Sequence, residues 1–165
     1  MSKISFPSES LIAGAPGAYD GFWLAGAVAE GQVGAVIHVA VDDRALARVE
    51  ETLALLAPDV ERIAFPAWDC LPYDRVGPNG AIAARRINAL FRLAGRGASE
   101  RPVVVLTTVN ALLQKIPSPD SYGAAGLTVE VGQGLDLDAF RAYAAANGFE
   151  RAETVMEPGE FALRG

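Results

Sequence analysis

A glycine-rich turn, AGAPGAYDG at residues 13–21, precedes the first apolar helix of the sequence. Glycines in front of a helix can cradle a phosphate through backbone N–H groups. A working P-loop also needs a lysine and a Ser or Thr for the phosphates and magnesium. Counting from Gly14, Tyr19 stands at the place of the second glycine and Asp20 at the place of the lysine. A carboxylate there repels phosphate, so we interpret Gly14, Gly17, Tyr19 and Asp20 as a degenerate nucleotide-binding turn.

Other residues with catalytic potential have simpler structural explanations. Asp42 and Asp43 follow the first strand like the magnesium-binding acids of an NTPase, but without a P-loop lysine a helix N-cap explains them better. Cys70 and His38 are the chain's one cysteine and one histidine. A nucleophilic cysteine needs a base, and His38 is predicted mid-strand, where we expect a core residue with satisfied hydrogen bonds. We therefore predict no catalytic residue and no metal site.

Two further groups of residues could bind a ligand. Trp68 and Tyr73 lie in a proline-rich loop, residues 65–74, and could bind a ligand, but packing of a rigid loop is the favoured interpretation. Arg85 and Arg86 could meet a phosphate, but a solvated helix face is the stronger interpretation.

These residues are positioned by alternating helices and strands. A continuous β-branched run at 35–41 is typical of a strand covered on both faces. The remaining predicted elements are a helix over 19–30, a helix from Asp42 or Asp43 to before Pro58, a strand over 60–65, a helix from Asn79 to Gly95, a strand over 103–106 and a short helix over 109–115. The alternation predicts an α/β fold with a RecA-like or Rossmann-like parallel sheet and flanking helices.

The proline-rich segment 117–120 is the best candidate for a domain boundary. We predict one α/β domain over residues 1–118 and part of a smaller α+β domain over 119–165. The second contains a predicted strand at 127–131, a glycine turn, a helix from about Asp136 to Gly148, and an extended stretch at 152–163. This β-α-β pattern is incomplete, because no further strand follows to cover a sheet.

Composition and charge restrict the class of protein. The chain has 165 residues and a net charge of −6, and residues 117–165 carry most of that excess, with eight acidic and three basic residues. Surface solvation is the simplest explanation of this excess. An acidic chain is a poor candidate for sequence-independent nucleic-acid binding. We expect no signal peptide and no membrane partner, and hence a cytoplasmic protein.

Three strings carry a family resemblance. They read FPAWDCLPYD at residues 65–74, TTVNALLQ at 107–114 and VMEPGEFALRG at 155–165. In this order and at this spacing they resemble the N-terminal region of the bacterial transcription-repair coupling factors (Mfd). The helix that carries Arg85 and Arg86 also fits the register of that family.

The resemblance implies a role in transcription-coupled nucleotide excision repair. Members of the family are ATP-driven DNA translocases that act on stalled RNA polymerase. Their N-terminal region is similar to UvrB, as a degenerate helicase domain with an inserted domain that contacts UvrA. It implies that residues 1–118 are the degenerate helicase domain and that 119–165 begin the insert. ATP and magnesium then belong to the motor of the parent protein, and this segment is expected to bind no cofactor. RNA polymerase and DNA are contacted by other domains of the parent.

One residue is assigned a partner role through the resemblance. An arginine that closes the string Gly-Glu-aromatic-x-x-Arg-Gly takes part in the UvrA contact, and here it is Arg164. Arginine suits interface ion pairs, although Arg164 could instead pair with a neighbouring glutamate. Two alternatives stay open: a small nucleotide-binding α/β enzyme that uses Gly14 and Gly17, and a structural domain without a partner.

Overall fold

The structure is a computed structural model that describes residues 11–29, 34–71, 73–97, 101–123 and 126–163. Within these ranges the elements follow in the order α1 (Tyr19–Ala29), β1 (Ala35–Ala40), α2 (Asp43–Leu56), β2 (Glu61–Phe65), α3 (Gly80–Ala94), β3 (Val103–Thr108), α4 (Val109–Leu112), α5 (Asp120–Gly123), α6 (Leu137–Ala146), β4 (Glu150–Arg151) and β5 (Glu160–Phe161). They form two compact units. The first comprises Met1–Ala67 and Gly97–Gln114, and the second comprises Trp68–Arg96 and Lys115–Gly165.

These units differ from the predicted domains in one element, because α3 belongs to the second unit. The predicted domain boundary after residue 118 stays a prediction.

The first unit is built on a parallel three-stranded sheet with the order β1-β3-β2. Ile37 of β1 and Ile63 of β2 lie opposite Val105 of β3 on its two sides. All six residues of β3 are buried, as expected for a central β-branched strand. The α/β class and the parallel sheet are therefore confirmed.

The expectation that β1 is covered on both faces is wrong. Along β1 the residues alternate between exposed and half-buried, and the Ile37 side chain is 63% exposed. The helices α1 and α2 pack against the face that carries Val36, Val104 and Leu106. No helix of the described part of the first unit packs against the opposite face of β1, which is an edge strand.

Two helices form the core of the first unit against this sheet. Leu24 of α1 and Val49 and Leu53 of α2 are buried there. The helices approach closely at Gly21, where a Cβ atom would lie 2.8 Å from Cβ of Thr52. Asp42 is the N-cap of α2 as predicted, since its carboxylate accepts a hydrogen bond from the Ala45 N–H at 2.7 Å.

The helices of the second unit follow local signals in the sequence. Asn79 caps the start of α3 by accepting from the Ala81 N–H, and Gly95 ends the helix. Asp136 caps α6 in the same way, and Gly148 follows it with a left-handed φ of 76°. In the first unit, the predicted helix at 109–115 is shorter than expected and ends at Leu112.

The two predicted strands of the second unit are wrong. Residues 126–130 have no ladder partner among the described residues, and 131–132 form a turn. The extended stretch at 152–163 reduces to the two residues of β5, which pair in parallel with β4. Apolar alternation alone does not make a strand, because a strand exists only when another strand satisfies its backbone groups.

The interpretation of Arg85 and Arg86 as part of a solvated helix face is wrong for Arg86. Arg85 is exposed, but Arg86 is 2% exposed, and its guanidinium carbon lies 4.3 Å from the ring centroid of Trp68. This distance is typical of a cation–π contact. Burial lowers the pKa of Arg86 from its usual value. Arg86 therefore stabilises the packing of its own unit.

Candidate functional site

The glycine-rich turn opens onto a cleft in the first unit. Gly14 has a left-handed φ of 70°, and residues 17–18 turn directly into α1. The cleft has a volume of about 360 Å³ and lies where α1 and α2 begin. Its lining includes Gly17, Tyr19, Asp20, Trp23 and Arg48. Three of the four residues of the predicted turn therefore meet at one cleft, and Gly14 lies outside its lining.

Asp20 faces His38, and no local sequence pattern connects the two residues. Oδ2 of Asp20 lies 3.5 Å from Nε2 of His38, whose side chain is 15% exposed. Burial lowers the pKa of His38, and the Asp20 carboxylate opposes that shift. The expectation of a satisfied core residue is wrong, because His38 is half-buried and its buried Nε2 has no hydrogen-bond partner in the described structure.

The charges of the cleft are a poor match for a nucleoside triphosphate. Arg48 brings one positive charge, while Asp20 places a carboxylate at the helix start, where a P-loop has its lysine. Among the described residues, His, Cys, Asp and Glu side chains form no group of three that could hold a metal ion. The geometry is thus compatible with the interpretation of a degenerate turn, which stays a prediction.

From Trp68 onwards, the first family string forms a loop of the second unit that is held by hydrogen bonds. Asp74 accepts a hydrogen bond from the Leu71 N–H at 2.7 Å, and Asp69 accepts one from the Asn79 N–H at 3.1 Å. Trp68 packs on Arg86, as the packing interpretation predicts. That interpretation is wrong for Tyr73, whose side chain is 97% exposed.

The second string ties two strands of the first unit together. The hydroxyl of Thr107 donates a hydrogen bond of 2.9 Å to the carbonyl of Phe65, the last residue of β2. Thr108 is the N-cap of α4 and accepts from the Ala111 N–H at 3.4 Å. Both threonines are almost fully buried. Because each buried hydroxyl has a partner, this string is explained by structure rather than by a ligand.

The third string contains a tight turn closed by a carboxylate. Gly159 has a φ of 101°, which favours glycine. The Glu160 carboxylate accepts hydrogen bonds from the N–H groups of Met156 at 2.7 Å and Glu157 at 3.1 Å. These bonds lower the pKa of Glu160. Phe161 then stacks edge-on against Phe140 of α6, with ring centroids 5.9 Å apart.

Arg164, the predicted UvrA contact, lies outside the described residues. The geometry therefore tests neither its position nor its role. What the structure supplies is the anchored segment that leads to it, since the turn at Gly159 and the Phe161 ring are both held in place. None of the helices in the described ranges has the length and apolar character needed to cross a membrane.

Known proteins with similar sequences share one name. The chain is 30% identical over 129 residues to the transcription-repair-coupling factor of Haemophilus influenzae, which is 78% of this chain and 11% of the relative. Identity to the protein of that name in Escherichia coli is 29% over 138 residues, covering 84% of the chain and 12% of the relative. Identity to the protein of that name in Myxococcus xanthus is 35%, covering 79% of the chain and 11% of the relative. No family model matches.

The chain thus spans only about a ninth of the length of these relatives. The family resemblance is confirmed by relatives from several bacteria. The chain therefore belongs to the family of the transcription-repair-coupling factors, as a relative of their N-terminal region.

Proposed function

We propose that the chain is a non-catalytic, UvrB-like module that helps to recruit UvrA to stalled RNA polymerase in transcription-coupled nucleotide excision repair. The observation that carries the proposal is the similarity to transcription-repair-coupling factors over more than three quarters of the chain. In this proposal the first unit is the relic of a helicase domain. ATP hydrolysis, DNA translocation and polymerase binding belong to other parts of the parent protein.

The second unit supports an interface role through its charge and its anchored turn. Residues 117–165 carry eight acidic and three basic residues, so a single arginine stands out against an acidic background. The Glu160 carboxylate and the Phe140–Phe161 contact fix the chain shortly before Arg164. A fixed approach lowers the entropy that an arginine loses when it pairs with a partner carboxylate. We propose Arg164 as that contact to UvrA.

The test is a titration of UvrA with this chain and with the full-length gene product. Arg164→Glu is expected to weaken binding by roughly 1–3 kcal/mol, which is about 5- to 150-fold in Kd. Arg44→Glu is the matched control, since Arg44 is exposed at the start of α2 in the other unit. Equal losses for both variants, or no loss for Arg164→Glu, would contradict the assignment.

The rival function is a small nucleotide-binding enzyme, and the cleft beside Gly17 is the observation that favours it. A bound nucleotide must raise the melting temperature, because it binds the folded state alone. We expect no shift with ATP or ADP and no phosphate release. A shift that disappears on Gly17→Val, in a variant that still folds, would support the enzyme instead.

A further inference from the structure

Glu160 closes a tight turn that comes just before Arg164 in the sequence. Its Oε2 atom accepts hydrogen bonds from two backbone N–H groups, that of Met156 at 2.7 Å and that of Glu157 at 3.1 Å. The Glu160 N–H in turn donates to the Glu157 carbonyl at 3.3 Å. Because these bonds join residues at most four positions apart, the turn is a local structure that needs no distant part of the chain.

The Glu160 carboxylate joins an irregular segment to an anchored strand. Residues 152–158 form no helix or strand. The carbonyl groups on either side of Glu160 accept hydrogen bonds from the N–H groups of Glu150 at 2.8 Å and Ala152 at 2.9 Å. The backbone around Glu160 is therefore fixed by strand pairing, and its side chain extends that order back to Met156.

The side chain and the backbone specify the same turn. Both hydrogen bonds to the Glu160 side chain favour the ionised carboxylate, and they lower its pKa, the bond from Met156 most. Gly159, inside the turn, has a φ of 101°, which other residues adopt only under strain. The Glu160 carboxylate thus has a structural partner that requires no ligand.

We propose that Glu160 is a positioning residue for the UvrA contact, which acts through Arg164 by holding the turn at residues 156–160 in one shape. Glu160 does not itself touch UvrA in this proposal. The inference rests on the proposed function, in which Arg164 is the contact. An ordered turn adds no ordering cost when UvrA binds, whereas a loosened turn has to be ordered at that moment, at a cost for each backbone residue.

Amide hydrogen exchange tests the turn alone, without UvrA. In Glu160→Ala the N–H groups of Met156 and Glu157 lose their acceptor, so they should exchange about 2- to 10-fold faster than in the unchanged chain. Glu160→Gln keeps an acceptor oxygen and should leave exchange at both positions nearly unchanged. Glu153→Ala is the matched control, because it removes the same charge from an exposed residue whose side chain has no hydrogen bond or ion pair among the described residues.

A titration of UvrA with the full-length gene product tests the consequence for binding. Glu160→Ala should weaken binding by about 5- to 30-fold in Kd, which is the cost of ordering roughly one backbone residue. Glu160→Gln and Glu153→Ala should each change Kd by less than about threefold. A loss in Glu160→Gln as large as in Glu160→Ala would contradict the inference, because it would show that the charge of Glu160, rather than its hold on the turn, is what binding requires.

A double-mutant cycle tests whether Glu160 acts through Arg164. In an Arg164→Ala background, Glu160→Ala should weaken binding by less than about threefold further, because no contact remains to be positioned. Gly159→Ala loosens the same turn by backbone strain and removes no charge, so it should weaken binding as Glu160→Ala does. Circular dichroism verifies that each variant folds.

The outcomes separate this inference from the proposed function. Unchanged exchange at Met156 and Glu157 in Glu160→Ala would overturn the inference alone. So would a loss of UvrA binding in Arg164→Ala without a loss in Glu160→Ala, or an equal loss from Glu160→Ala with and without Arg164. If Arg164→Ala bound UvrA as tightly as the unchanged protein, the proposed contact would be wrong, and the inference would be wrong with it.

Discussion

Oδ2 of Asp20, in the first turn of α1, lies 3.5 Å from Nε2 of His38, in the edge strand β1. This contact joins a helix start to the sheet that the helix covers. It also gives a physical role to a carboxylate that stands where a nucleotide-binding turn needs a lysine. The burial of His38 makes stability dependent on pH, and the contact with Asp20 opposes that dependence.

We predict that stability falls as the pH is lowered below about 6.5, the ordinary pKa of histidine, because of His38. Burial lowers its folded-state pKa below the unfolded value, and Asp20 offsets part of the shift. The unfolded state therefore binds the proton more readily, so this contribution is present above the unfolded pKa of about 6.5 and is lost as pH falls through it. His38→Gln should flatten the melting temperature against pH.

Because His38 is the one histidine, few other groups titrate in this window. Asp20→Asn is the companion variant. It removes the opposing charge, so the fall in melting temperature on acidification should become steeper than in the unchanged chain. A shallower fall would mean that Asp20 does not act on His38.

We predict that Gly21→Ala destabilises the first unit by about 1–3 kcal/mol, because its methyl group would meet Thr52 at 2.8 Å. Gly26→Ala, in the same helix, is the control. Nothing lies within 4 Å of its added Cβ, so alanine should stabilise α1 by about 0.5–1 kcal/mol. Chemical denaturation measures both changes, and the same sign for both would argue against this helix contact.

We predict that Arg86→Ala destabilises the chain by about 2–4 kcal/mol, while Arg85→Ala changes stability by less than about 0.5 kcal/mol. The two arginines are neighbours in α3, but Arg86 is buried over Trp68 and Arg85 is exposed. Urea unfolding followed by tryptophan fluorescence reports on both variants. Equal effects would mean that the Trp68 contact contributes nothing measurable.

We predict that Thr107→Val costs about 1–3 kcal/mol, because the Phe65 carbonyl loses its hydroxyl donor at a nearly buried site. Thr107→Ser keeps the hydroxyl and should recover most of that loss. If serine were as unstable as valine, the threonine methyl group, rather than the hydrogen bond, would be the stabilising group. Thermal unfolding at one pH suffices for the comparison.

The local features of this protein could be predicted from its amino-acid sequence. Asp42 and Asn79 were recognisable as helix caps, and Asp136 as the approximate start of a helix, because an N-cap depends on a side chain and the two or three residues after it. The parallel sheet followed from the alternation of helices and strands. The family resemblance was likewise carried by three short strings.

Contacts between residues that are distant in the chain were evident only from the folded structure. The contact of Asp20 with His38 and the burial of Arg86 on Trp68 join residues that no local pattern connects. Residues 127–131 show that a local pattern can also predict an element that the structure does not contain. Their alternation predicts a strand, yet a strand needs hydrogen bonds from a neighbour, and the described chain supplies none there. Side-chain chemistry sets local structure, whereas pairing and burial depend on the whole fold.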